Sequence, residues 1–147
     1  MTTTSKKCIE KCNNLLQGEL SAVETYQQAL EKFGSEPQAQ TLREILRDHQ
    51  DSASILTQNI IKMGGEPETG SGMWGAFAKT VEGTAKLFGE NAAVSALKQG
   101  EEKGKSDYED AIDSEDVMVE CKEMIASRLL PRQSRHITTL TNLQDQL

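Results

Sequence analysis

The sequence predicts an all-α protein, a four-helix bundle built as two antiparallel helical hairpins joined by a long crossover. Three observations predict it. Long runs rich in Ala, Leu, Glu, Gln and Lys, residues that favour helix, carry apolar side chains at the 3-4-7 spacing of a half-buried helix. Turn signals divide these runs with a short link, a long link and a second short link. Aromatic residues are scarce, at 4%, and only three prolines occur. A chain of 147 residues suffices for one domain with a real core, spanning 1–147, and is too short for two comfortable ones.

The first helix is expected over about 5–33, with the stripe Cys8, Cys12, Leu15/Leu16, Val23, Tyr26, Leu30, Phe33 and a stop at Gly34. Ser35-Glu36-Pro37-Gln38 reads as a capping box that opens the second helix, over about 36–63. Its inner side carries Leu42, Ile45/Leu46, His49, Ala53, Leu56, Ile60 and Met63, and Gly64-Gly65-Glu66-Pro67 ends it. The crossover covers 64–91. Its second part, Met73 to Val81, is amphipathic and is expected to form a short helix, because a bare loop this long is unusual in a compact domain. The third helix is expected over about 92–112 and the fourth over 115–143, with Asp113-Ser114 as the cap between them. Pro131 removes a backbone donor inside the fourth, so a kink is expected near Ser127 to Pro131.

The net charge of −7, with no segregated basic cluster, argues against nucleic acid and anionic lipid as partners. No apolar stretch approaches the roughly 20 residues needed to cross a bilayer, and the first residues lack the apolar core of a signal peptide. A cytoplasmic location is therefore expected. Cys8, Cys12 and Cys121 fit it as reduced packing residues. Cys8 and Cys12 share a helix face, but no further Cys or His lies near them in sequence, so packing is preferred to a zinc site.

The most informative feature is an internal repeat. Gln17-Gly18-Glu19 is followed by Tyr26, Ala29 and Leu30; Gln99-Gly100-Glu101 is followed by Tyr108, Ala111 and Ile112. The two copies are offset by 82 positions throughout, as from Glu19 to Glu101. In each, Glu and Tyr lie two turns apart on the apolar face, so both glutamates should point into the bundle. A carboxylate in an apolar core needs a compensating partner. The chain's two histidines, His49 and His136, both map to core-facing positions near the middle of their helices.

This Gly-Glu pattern with Tyr at the seventh following position, on the first and third helices, resembles the rubrerythrin branch of the ferritin-like superfamily. The hairpin–crossover–hairpin order is also the ferritin-like connectivity. The Gly64-Gly65-Glu66-Pro67 turn, the crossover with Trp74 and the Gly100-Glu101 segment look more closely like an uncharacterised bacterial family of ferritin-like bundles, loosely linked to stress responses. The resemblance implies that Glu19 and Glu101 match terminal metal ligands, and that His49 and His136 match the histidines of two Glu-x-x-His motifs. It implies that Tyr26 and Tyr108 hydrogen-bond to ligands across the bundle. The bridging glutamates of a dinuclear site would stand three residues before each histidine, where this chain has Leu46 and Gln133. Asp48 and Glu102 point roughly 100° away from the ligands beside them, and Glu24 also points well away from Glu19, so none of the three simply replaces a ligand.

Two readings of the layer stay open. In one, Glu19, His49, Glu101 and His136 hold a single Fe, Mn or Zn ion whose charge the two carboxylates cancel, with Tyr26, Tyr108 and Gln133 around it. In the other, the same groups form a metal-free layer of charge-assisted hydrogen bonds. If the chain is an enzyme, an iron-dependent oxidoreductase of ferritin-like type is implied. Met73, Trp74, Phe77 and Leu87 of the crossover form an apolar strip, for which packing across the outside of the bundle is preferred; in a third class, an interaction protein, the strip would instead be a homodimer surface.

Overall fold

The computed structural model describes residues 3–33, 37–70 and 89–147. Helix α1 spans Thr3–Phe33, α2 Pro37–Lys62 and α3 Glu90–Asp113. The fourth rod is composite: α4 (Val119–Met124), a π-helical turn (Ile125–Leu129) and α5 (Leu130–Gln146). The expected short helix over Met73 to Val81 and the strip Met73, Trp74, Phe77, Leu87 lie outside the described residues, as do Gly34, Ser35 and Glu36.

Two apolar clusters fix the topology. One joins Cys8, Cys12 and Leu16 near the start of α1 to Leu56 and Ile60 near the end of α2, Ala111 near the end of α3, and Cys121 and Ile125 at the start of the fourth rod. The other joins Phe33 at the end of α1 to Ala39 and Leu42, Ala93 and Val94, and Leu140 and Leu143. Hence α1 and the fourth rod run one way and α2 and α3 the other. The chain leaves α2 at one end of the bundle and enters α3 at the opposite end, as in ferritin-like bundles.

The helix ends follow local chemistry. At the end of α2, Gly64 adopts φ +85, and the N–H groups of Gly65 and Gly64 donate to the carbonyls of Ile60 and Ile61 at 3.0 and 2.9 Å. This is a Schellman motif, and it needs a residue without a Cβ penalty at φ > 0. The Asn13 carboxamide then clasps the departing chain, donating to the Glu66 carbonyl at 3.0 Å and accepting from the Glu68 N–H at 2.9 Å.

The fourth rod differs from the sequence expectation in two ways. It begins at Val119 and not near Glu115, because Ser114 is used for a turn. Its hydroxyl accepts the Asp116 N–H at 3.1 Å and its carbonyl the Val117 N–H at 3.4 Å, which turns Val117 into the core. The disturbance expected from Pro131 takes the form of a widened turn, in which the Leu130 N–H donates to the Ile125 carbonyl five residues back. A π turn just before a proline relaxes the ring's clash with the preceding turn.

Candidate metal centre

Between the two apolar clusters lies a layer of buried polar side chains, one from each rod. Glu19 on α1 is 4% exposed, His49 on α2 2%, Glu101 on α3 2% and His136 on α5 3%. The repeat sets this up. Each Gly-Glu places its carboxylate on the apolar stripe, and the tyrosine two turns on carries its hydroxyl to the carboxylate of the other copy. Tyr108 donates to Glu19 Oε1 at 2.5 Å and Tyr26 to Glu101 Oε1 at 2.8 Å. This crossed pairing is available because α1 and α3 are antiparallel.

His49 lies at the centre. Its Nδ1 is 2.5 Å from Glu19 Oε2 and its Nε2 is 2.6 Å from Glu101 Oε1. An imidazole that donates to two carboxylates does so as the imidazolium. Burial alone would lower the His49 pKa, but the charges of Glu101 and Glu19 and their hydrogen bonds hold it well above 6.5. Burial likewise opposes ionisation of Glu101, yet His49 and His136 outweigh it and bring its pKa down to about 2. Burial, followed by the facing carboxylate, pushes both tyrosine hydroxyls well above their ordinary value of 10.0, so they remain donors.

His136 is held differently. Its ring is tilted against that of His49, with centroids 4.8 Å apart. Its Nε2 is 2.8 Å from Asp48 Oδ2, on the half-exposed edge of α2. Its Nδ1 lies 3.3 Å from Glu101 Oε1 and makes no hydrogen bond, and Glu101 Oε2 is likewise buried without a partner among the described residues. Asp48 is the residue that reading the sequence misses. It is displaced from His49 around α2, but that sector is where the fourth rod packs, with Arg132 donating to the Asp48 carbonyl at 3.2 Å and to Ser52 Oγ at 2.9 Å. Helix spacing alone carries no signal for such a contact.

Gln133 stands aside from the carboxylates. Its Nε2 donates to the backbone carbonyl of Glu101 at 3.2 Å, and the side chain occupies the space that a Cβ on Gly104 would take. A cavity of about 40 Å³ adjoins Glu19, Tyr26, His49, Glu101, Tyr108 and Gln133, room for a water or a small ion beside the layer.

These donors do not fit a dinuclear carboxylate site. Such a site uses four carboxylates, and here Leu46 packs in the apolar cluster while Gln133 bonds to backbone. The donor set does suit one ion. His49, Glu101 and His136 each offer a ligand atom, and these atoms lie within 4.8 Å of one another. Glu19 stands behind His49, and Asp48 behind His136, each holding the imidazole's far nitrogen.

Comparisons with known proteins agree with the fold. A crystal structure described as ferritin-like, diiron-carboxylate proteins from Bacillus anthracis str. Ames is similar to this chain over 98% of its length and 99% of the other's, with 20% identity and a TM-score of 0.75. No curated protein matches. No described helix is long and apolar enough to cross a membrane. The profile of a family described as Domain of unknown function (DUF2383) matches residues 7–114, and the chain belongs to that family.

Proposed function

We propose that this DUF2383 protein binds one divalent transition-metal ion in its core through His49, Glu101 and His136, as a two-histidine, one-carboxylate site. The observation that carries the reading is the pair of buried atoms without a hydrogen bond among the described residues, Glu101 Oε2 and His136 Nδ1, on side chains that meet at 3.3 Å. Buried polar atoms without partners are rare and call for an explanation. In metal sites the far nitrogen of a ligating imidazole is commonly held by a carboxylate, and both histidines have that arrangement. Glu19 thus serves as the group that orients His49, with Tyr108 holding Glu19 in turn.

The charges are consistent. The carboxylates of Glu19 and Glu101 balance a divalent ion, and His49 gives up its Nε2 proton while keeping Nδ1–H on Glu19. Imidazole with carboxylate suits Fe(II), Mn(II) or Zn(II). When bound, a redox-active ion of this kind would supply oxygen or peroxide chemistry, and the adjoining cavity is large enough for ligands of that size. A metal-free layer is the second reading, favoured by the two short bonds that already saturate His49.

Elemental analysis of protein purified without chelators, then reloaded anaerobically with Fe(II) or Mn(II), separates them. About one ion per chain is expected in the wild type, with traces in Glu101→Ala and His136→Ala. Equal traces in all three, with the variants still folded by circular dichroism, would leave a structural polar core.

A further inference from the structure

A second set of ligand-type side chains lies in the apolar cluster at one end of the bundle. Cys8 and Cys12 are one helical turn apart on α1, and Cys121 reaches them from α4, 109 positions from Cys12. All three are free thiols and buried, at 0%, 0% and 3% exposure. Their sulfur atoms lie within 4.8 Å of one another, with Cys12 and Cys121 at 3.2 Å. Three sulfurs around an ion at about 2.3 Å stand about 4 Å apart in a trigonal arrangement, so little movement would bring these to ligating positions.

Each sulfur also faces an N–H group. The Met118 backbone N–H donates to Cys8 at 3.5 Å, and Asn59 Nδ2 points at Cys121 at 3.3 Å and at Cys12 at 3.8 Å. A cysteine that packs as a small hydrophobe has no need of such donors, whereas a buried thiolate has. No imidazole or carboxylate joins the group among the described residues. The apolar cluster that holds it includes Ile9, Leu56, Ile60 and Ile125, with the thioether side chains of Met63, Met118 and Met124 packed against the same cluster. The donors are therefore all soft, and they number three. Zinc favours a fourth ligand; a monovalent, thiophilic ion does not require one.

We propose that Cys8, Cys12 and Cys121 form a trigonal thiolate site for one soft d10 metal ion, Cu(I) foremost, separate from the Glu/His layer. Binding forms three metal–sulfur bonds and releases the thiol protons to solvent, with no change of oxidation state.

The test is an anaerobic titration of the reduced full-length protein with Cu(I) against a chromophoric Cu(I) chelator, with X-ray absorption on the loaded wild type. One ion per chain, a shell of three sulfurs, and undiminished uptake by His136→Ala are expected. Cys8→Ser and Cys121→Ser should each compete at least about tenfold less well, a change of about 1.4 kcal/mol. The wild-type absorption does not depend on whether those variants fold. Three results would each overturn the proposal: all copper staying with the chelator, Cys8→Ser competing as the wild type does, or a shell around the bound copper made of nitrogen or oxygen.

Discussion

The first hairpin brings Glu19 and His49 to the polar layer and the second brings Glu101 and His136. In the first, every polar atom is engaged: Glu19 takes Tyr108 on one oxygen and His49 on the other, and both nitrogens of His49 face carboxylates. In the second, Tyr26, His49 and His136 crowd one oxygen of Glu101, while its other oxygen and His136 Nδ1 make no hydrogen bond among the described residues. The sequence repeat supplies both hairpins with the same Glu and Tyr, and each hairpin adds one histidine, yet the bonding is unequal. The difference teaches that a repeat specifies which groups enter a core, while the fourth rod's placement decides which of them remain open to a ligand.

Removing each histidine is the most severe way to challenge this contrast. His49→Ala strands two buried carboxylates and should cost about 3–5 kcal/mol in chemical denaturation. His136→Ala leaves Glu101 with His49 and Tyr26 and should cost about 1–3 kcal/mol. Equal losses would mean that the two hairpins contribute alike.

Acid tests the second hairpin by itself, in chelator-stripped protein. The Glu101 pKa falls from 4.5 unfolded to about 2 folded, so its contribution is complete above 4.5 and disappears as the pH drops toward 2 and below. His49 has the opposite sign. Its pKa is raised, so its contribution is complete below 6.5 and fades only as the pH climbs through the raised value. The stability difference between wild type and Glu101→Gln should accordingly shrink between pH 4.5 and 2. A difference that stays constant there would show that Glu101 is not held ionised.

The tyrosines give the smallest and finest contrast. Tyr108→Phe removes the hydroxyl donor to Glu19 Oε1, for about 1–3 kcal/mol. Tyr26→Phe leaves Glu101 Oε1 still bonded to His49, so about 1 kcal/mol or less is expected. The reverse order by denaturant titration would place the weaker carboxylate in the first hairpin.

Much of this was legible beforehand. The apolar spacing and the turn signals specify four rods and their connectivity, and the offset of the Gly-Glu and Tyr pairs specifies which carboxylates go inward. What was not legible depends on packing between distant segments. Asp48 meets His136 because α5 lies over that sector of α2, and Cys121 meets Cys12 across most of the chain. Neither contact leaves a trace in local spacing. Pro131 signals that the helix must yield, but the cost of a kink and that of a wider turn are too close for sequence to choose between them.

That wider turn has a further consequence. Along the fourth rod the inward residues Cys121, Ile125, Leu129 and Gln133 recur every four positions. On an ideal helix each such step overshoots by about 40°, or about 120° over three. The π turn absorbs this slippage and so indexes the sulfur corner and the imidazole corner of one rod to a common axis. Delete a single residue from Ile125–Leu129 and the rod becomes a shaft with a slipped gear, its two stations out of phase by about 100°, able to keep either one facing the interior but not both.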